Sequence, residues 1–175
     1  MSANHAAFNL IFRFVENYVS PIAGRISSQR HVMAIRDGFI SAMPFMIVGS
    51  FLLVFAYPPF SPDTTWGFAR AWLDMAKQFE GQILTPFDMT MGVMSLYICA
   101  AIAYNLGKHY VKTHQLDPFM CAMLSLMAFL LVAAPKTKGA LPVDSLGGTG
   151  IFTAILVAIY CVEMMRFLKA HNIGI

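Results

Sequence analysis

Four long stretches of this chain carry almost no charge, and stretches of that kind leave few folds open. Gly38–Tyr57 (GFISAMPFMIVGSFLLVFAY) and Met89–Gly107 (MTMGVMSLYICAAIAYNLG) hold no acidic or basic side chain. Phe119–Pro135 (FMCAMLSLMAFLLVAAP) is also uncharged, and Thr149–Met165 holds one, Glu163. A hydrocarbon core about 30 Å thick takes around 20 helical residues to cross, with a working range of about 17–25. The first two runs meet that length comfortably, and the last two sit near its lower limit. Lipid offers the backbone no hydrogen bonds, so each run is expected to form a helix. Composition agrees: 58% of the 175 residues are apolar and only 12% are charged, against about 25% charge in a typical soluble domain. The net charge of +3 does not point to nucleic acid, because the 12 Lys and Arg are spread along the chain rather than clustered on one face. The expected fold is an all-α integral membrane domain with about four transmembrane helices.

Two amphipathic segments accompany the spans. In Phe8–Ser20 the polar residues Asn9, Arg13, Glu16, Asn17 and Ser20 recur at helical spacing, opposite Phe8, Ile11, Phe12, Val15 and Val19. That pattern predicts a helix lying in the membrane interface. Pro21 and Gly24 should break the chain after it, and Ser27–Asp37 reads as a short polar lead into the first span. Pro58–Thr65 (PPFSPDTT) reads as a turn. A second amphipathic helix is predicted over Trp66–Glu80, capped by Thr64 or Thr65, with Arg70, Asp74, Lys77 and Gln78 on its polar face. Both tryptophans of the chain fall there, where interfacial anchors belong. The pattern leaves open whether this helix stays at the interface or lengthens the second span. Lys108–Gln115 and Lys136–Gly148 read as loops. Gly49, Ser50, Gly92, Ser95 and Ser125 are small residues that would let the helices approach closely.

Lys and Arg also orient the chain. With four spans both termini share a side. That side collects eight basic residues, Arg13, Arg25, Arg30, Arg36, Lys108, Lys112, Arg166 and Lys169; the other side has four, Arg70, Lys77, Lys136 and Lys138. Basic residues mark the cytoplasmic face, so both termini are expected there. The opening MSANHAAFNL lacks the basic and apolar regions of a cleavable signal peptide.

Few residues invite chemistry. Cys99, Cys121 and Cys161 each lie in an apolar run and read as buried small hydrophobes. His5, His31, His109, His114 and His171 read as solvated side chains of loops and tails. His109 and His114 are five apart rather than the four a helical metal pair prefers, so no metal site is assigned. No cofactor and no catalytic residue is expected. Glu163 is the one substrate-binding candidate, because a carboxylate placed near the membrane is a functional candidate by default. Arg166, three residues on, offers a pairing that favours a structural role. Asn105, near the end of the second span, reads as an interfacial hydrogen-bonding residue.

The order of motifs resembles a known family. HVMAIRDGFISAMPFMIVGSFLL, with His31, Ala34, Ile35, Arg36, Asp37, Gly38, Phe39, Met43 and Pro44, resembles the opening of lactose/cellobiose-type enzyme IIC permeases of the bacterial phosphotransferase system. TMGVMSL (Thr90–Leu96), DPFMCAMLSLMAF (Asp117–Phe129), LGGTGIFTAI (Leu146–Ile155) and VEMMRF (Val162–Phe167) follow in family order. The resemblance implies a sugar transporter of the bacterial inner membrane that works with IIA and IIB subunits and forms a homodimer. Family members are about twice as long, and their second half carries a Gly-Ile-His-Gly-like segment and an Asn-Glu-Pro motif that contact the sugar. Neither motif occurs here, so no sugar-binding residue is carried over. Residues 1–175 are therefore expected to be the N-terminal scaffold and dimerisation part, truncated or split from its sugar-binding half. Whether such a chain takes any part in sugar phosphotransfer is left open. The alternative is a membrane interaction protein that keeps the scaffold without transport.

Overall fold

A computed structural model describes residues 20–133 and 145–171. Within them the chain forms six α-helices and no strand. They are α1 (Ser20–Ser27), α2 (Arg30–Ala56), α3 (Gly67–Phe87), α4 (Met94–His114), α5 (Pro118–Ala133) and α6 (Ile151–Ala170). A π-helical turn, Asp88–Gly92, joins α3 to α4, and a 3₁₀ turn, Gly148–Gly150, leads into α6. Of the amphipathic helix predicted over Phe8–Ser20, all but Ser20 lies outside the described residues.

Several boundaries differ from the sequence-based expectation, and each has a local reason. Pro21 does not break the chain: it falls in the first turn of α1, where its missing N–H has no helical partner to lose. The first span begins at Arg30 rather than Gly38, so Arg30–Asp37 is helix rather than a polar lead. The expected loop at Lys108–Gln115 is also helix, because no Gly or Pro interrupts Lys108–His114 and α4 continues to its end. Gln115 then terminates α4 in the left-handed region, at φ 51°. Likewise α6 runs past Met165 to Ala170, with Lys169 in its last turn.

The second amphipathic helix does not stand apart from the second span. Trp66, with Thr64 Oγ1 3.4 Å from its backbone nitrogen, precedes α3. The helical path then continues through Pro86 and the π turn, so that Gly67–His114 forms one run of 48 residues. At 1.5 Å per residue that is about 72 Å, more than twice the hydrocarbon thickness. Within this run the helical geometry is interrupted after the π turn, at Val93 (φ −115°, ψ 24°). The last residues of α2 and the turn after it meet α3 through an aromatic cluster: Phe55, Phe60, Trp66, Phe68 and Trp72 have neighbouring centroids 5.6–5.9 Å apart.

Three runs, Arg30–Ala56, Gly67–His114 and Gly148–Ala170, are long and apolar enough to cross a bilayer; α5 is apolar but shorter, at 16 residues. The helix at the centre is α4, which packs against α2, α5 and α6. Ile98, Ile102, Leu106 and Tyr110, at steps of four, are all buried along it. The neighbouring helices approach through small residues. A Cβ on Gly38 would collide with Ile102, one on Gly49 with Met91, and one on Gly107 would lie 3.0 Å from Pro118 Cα. Ser95 donates its hydroxyl and its amide to the Leu146 carbonyl, fastening the segment before α6 to the start of α4. Ser50, in contrast, is exposed and bonds its own helix at Met46 O. The outer surface is apolar, with Phe51, Leu131 and Phe152 all more than 60% exposed. That is the inversion a lipid solvent requires. Cys99, Cys121 and Cys161 are buried, as expected from their apolar surroundings.

Candidate functional site

Glu163 lies in the penultimate turn of α6, and two other helices converge on it. His31 opens α2, and its Nε2 lies 2.9 Å from Glu163 Oε1, the imidazole N–H donating. The hydroxyl of Tyr110, from the last turns of α4, donates to the same oxygen at 2.6 Å. Arg166 Nη2 reaches Oε2 at 2.8 Å from three residues along α6. Both carboxylate oxygens are therefore engaged, and each bond is assisted by the carboxylate charge.

Tyr110 is the centre of the arrangement. It is 1% exposed, and cations flank its ring: the Arg30 and Arg166 guanidinium carbons lie 5.6 and 5.2 Å from the ring centroid. Both are within cation–π range. The His114 ring meets Tyr110 edge-on at 5.6 Å. The cluster thus ties together the beginning of α2 and the ends of α4 and α6. Lys169 adds a tie from α6 to the connection after α4, its Nζ donating to Gln115 O at 3.1 Å.

The sequence pairing of Glu163 with Arg166 is present, and it is one contact of three. His31 is not the solvated loop histidine its sequence context suggests: it is helical and its side chain is held by Glu163. A signal for it does exist, because His31, Ala34, Gly38, Ala42 and Gly49 recur along one face of α2, and the last four are buried. Tyr110 continues the buried row of Ile98, Ile102 and Leu106 in the same way. His109 and His114 belong to α4 rather than to a loop. Asn105 Nδ2 donates to Ala101 O at 2.9 Å, within its own helix. The hydroxyls of Ser41, Ser50 and Thr85 behave alike, donating to the carbonyls of Asp37, Met46 and Gly81.

Comparison with known proteins places this arrangement. A family model described as "Phosphotransferase system, EIIC" matches residues 36–175. The cellobiose-specific EIIC component of Geobacillus stearothermophilus is 34% identical over 179 aligned residues, spanning 93% of this chain and 37% of its own length. The lichenan permease IIC component of Bacillus subtilis (strain 168) is 33% identical, spanning 94% of this chain and 38% of its own length. Among solved structures, the transporter ChbC, the IIC component of an N,N'-diacetylchitobiose-specific phosphotransferase system, matches with a TM-score of 0.74 and 33% identity. That match covers 93% of this chain and 39% of ChbC. The chain thus spans less than two fifths of the length of these relatives. With the family model covering most of its residues and the helical bundle reproduced in a solved transporter, this multi-pass membrane chain belongs to the EIIC family of the phosphotransferase system.

Proposed function

We propose that this chain acts as the N-terminal scaffold of a phosphotransferase-system IIC transporter for a β-linked oligosaccharide, completed by a sugar-binding part on other residues. The observation that carries this reading is where the polar groups go. A dehydrated sugar hydroxyl left unpaired costs about 1–3 kcal/mol, so a sugar site needs several polar groups converging on one space. Here Glu163, His31, Tyr110 and Arg166 converge on one another, and Asn105, Ser41, Ser50 and Thr85 bond their own helices. On this reading Glu163 is a clasp between helices, not a sugar ligand, and IIA and IIB subunits serve the completed transporter. Vesicles holding only this chain, supplied with the energy-coupling proteins and labelled cellobiose, should accumulate no sugar phosphate. Uptake that disappears in Glu163→Gln would overturn the scaffold reading.

The scaffold is further proposed to sit in the bacterial inner membrane as a homodimer, with both termini cytoplasmic. The eight-to-four distribution of Lys and Arg supports the orientation. A single added cysteine at Ser61, in the turn between α2 and α3, tests both statements, since the native thiols are buried. It should react with an impermeant maleimide from the extracytoplasmic side. Amine crosslinking of the same protein in lipid should give a dimer that survives dilution. Labelling from the cytoplasmic side alone reverses the orientation, and a persistent monomer removes the dimer.

A further inference from the structure

An open groove of about 440 Å³ runs between α2, α4 and α5. Ser41 and Phe45 line it from α2, Ala101 and Lys108 from α4, and Ala122 and Met123 from α5. Its long direction follows α4 from Lys108 to Tyr97, which is three turns, or about 16 Å. Phe45 and Tyr97 stack at the deep end, 4.4 Å between centroids and nearly parallel. Three polar side chains along the walls already have partners. Ser41 donates to Asp37 O, Asn105 to Ala101 O, and the Tyr97 hydroxyl to Met89 O.

The mouth of the groove carries a cation. Lys108 Nζ lies 4.9 Å over the Tyr104 ring and makes no ion pair with any described residue. Among the described residues, two of the carboxylates at this end of the bundle are held in ion pairs and a third accepts a backbone amide. Asp37 holds Arg36, Glu163 holds Arg166 and His31, and Asp117 caps the Phe119 amide.

We propose that this groove binds an anionic phospholipid, with an acyl chain along the trough and the phosphate on Lys108. The trough is apolar, open to the side and aligned with the spans, and its one unspent charge is positive at the end where the chain's basic residues gather. Basic pockets of this kind, between spans at the membrane surface, suit anionic headgroups. A sugar would find few free polar groups along the walls.

Native mass spectrometry of the purified chain in detergent tests the proposal, using phosphatidylglycerol and phosphatidylcholine with the same acyl chains. Phosphatidylglycerol should bind more tightly. Lys108→Ala should weaken it about fivefold, the factor expected for one lysine near the surface. Phosphatidylcholine binding should not change, and Lys108→Arg should retain the preference. Equal binding of the two lipids, or phosphatidylglycerol binding untouched by Lys108→Ala, would overturn the proposal. Lipid adducts that disappear as a dimer forms, independently of Lys108, would assign the groove to a second copy and overturn it as well.

Discussion

Glu163→Ala is expected to destabilise the folded chain by about 3 kcal/mol. It removes two hydrogen bonds to a charged group, each worth about 1.5–3 kcal/mol, and the ion pair to Arg166. It also leaves the Tyr110 hydroxyl without its acceptor. The Glu163 side chain is 25% exposed, so water can recover part of this loss, which keeps the figure at the lower end of the range for breaking a buried pair. For a chain of this size the loss corresponds to a fall of about 10 °C in Tm. Unfolding in detergent can be followed with a thiol-reactive dye, because Cys99, Cys121 and Cys161 are all buried in the folded state. Tyr110→Phe removes one hydrogen bond and should cost about half as much. If Glu163 paired with Arg166 alone, Tyr110→Phe would leave the melting unchanged. A Glu163→Ala protein that melts with the parent would show that the cluster does not hold the three helices together.

Gly38→Ala is expected to cost about as much, by a different route. The added Cβ would meet the Ile102 side chain, and it would lie only 3.0 Å from Ile102 N and 3.1 Å from its Cα. A side chain can turn away, but the backbone of the central helix cannot, so α2 and α4 would have to separate along their contact. Overpacking of this kind costs typically about 1–3 kcal/mol, and collision with backbone puts Gly38 at the top of that range. Gly81→Ala is the matched control. Nothing lies within 4 Å of its Cβ position in α3, so the substitution should be neutral or stabilise by up to about 1 kcal/mol. The same dye assay reads both variants. Equal melting of Gly38→Ala and Gly81→Ala would remove close packing at Gly38 as a source of stability.

How far the sequence carries can be judged from these residues. The apolar runs mark the spans because each must match the same hydrocarbon thickness, a constraint that acts on every run separately. Helix ends are harder to read. Polar residues such as Arg30, His31 and Lys112 look like loop until the structure shows that the helices extend beyond the apolar stretch. The π turn at Asp88–Gly92 has no comparable local signal: Pro86 and Gly92 would equally mark a loop.

By itself, then, the sequence determined the class of protein, the number and order of the apolar runs, and the burial of the three thiols. Each follows from local apolar composition meeting a lipid solvent. Only the tertiary structure decided that Glu163 is shared among three partners. His31 lies 132 residues before it and Tyr110 lies 53 before it, and no local rule links positions so far apart. They meet because close contacts at Gly38, Gly49 and Gly107 set the spacing and register of the helices. Once that register is set, the polar ends of α2, α4 and α6 lie at one level, and the carboxylate finds its donors there.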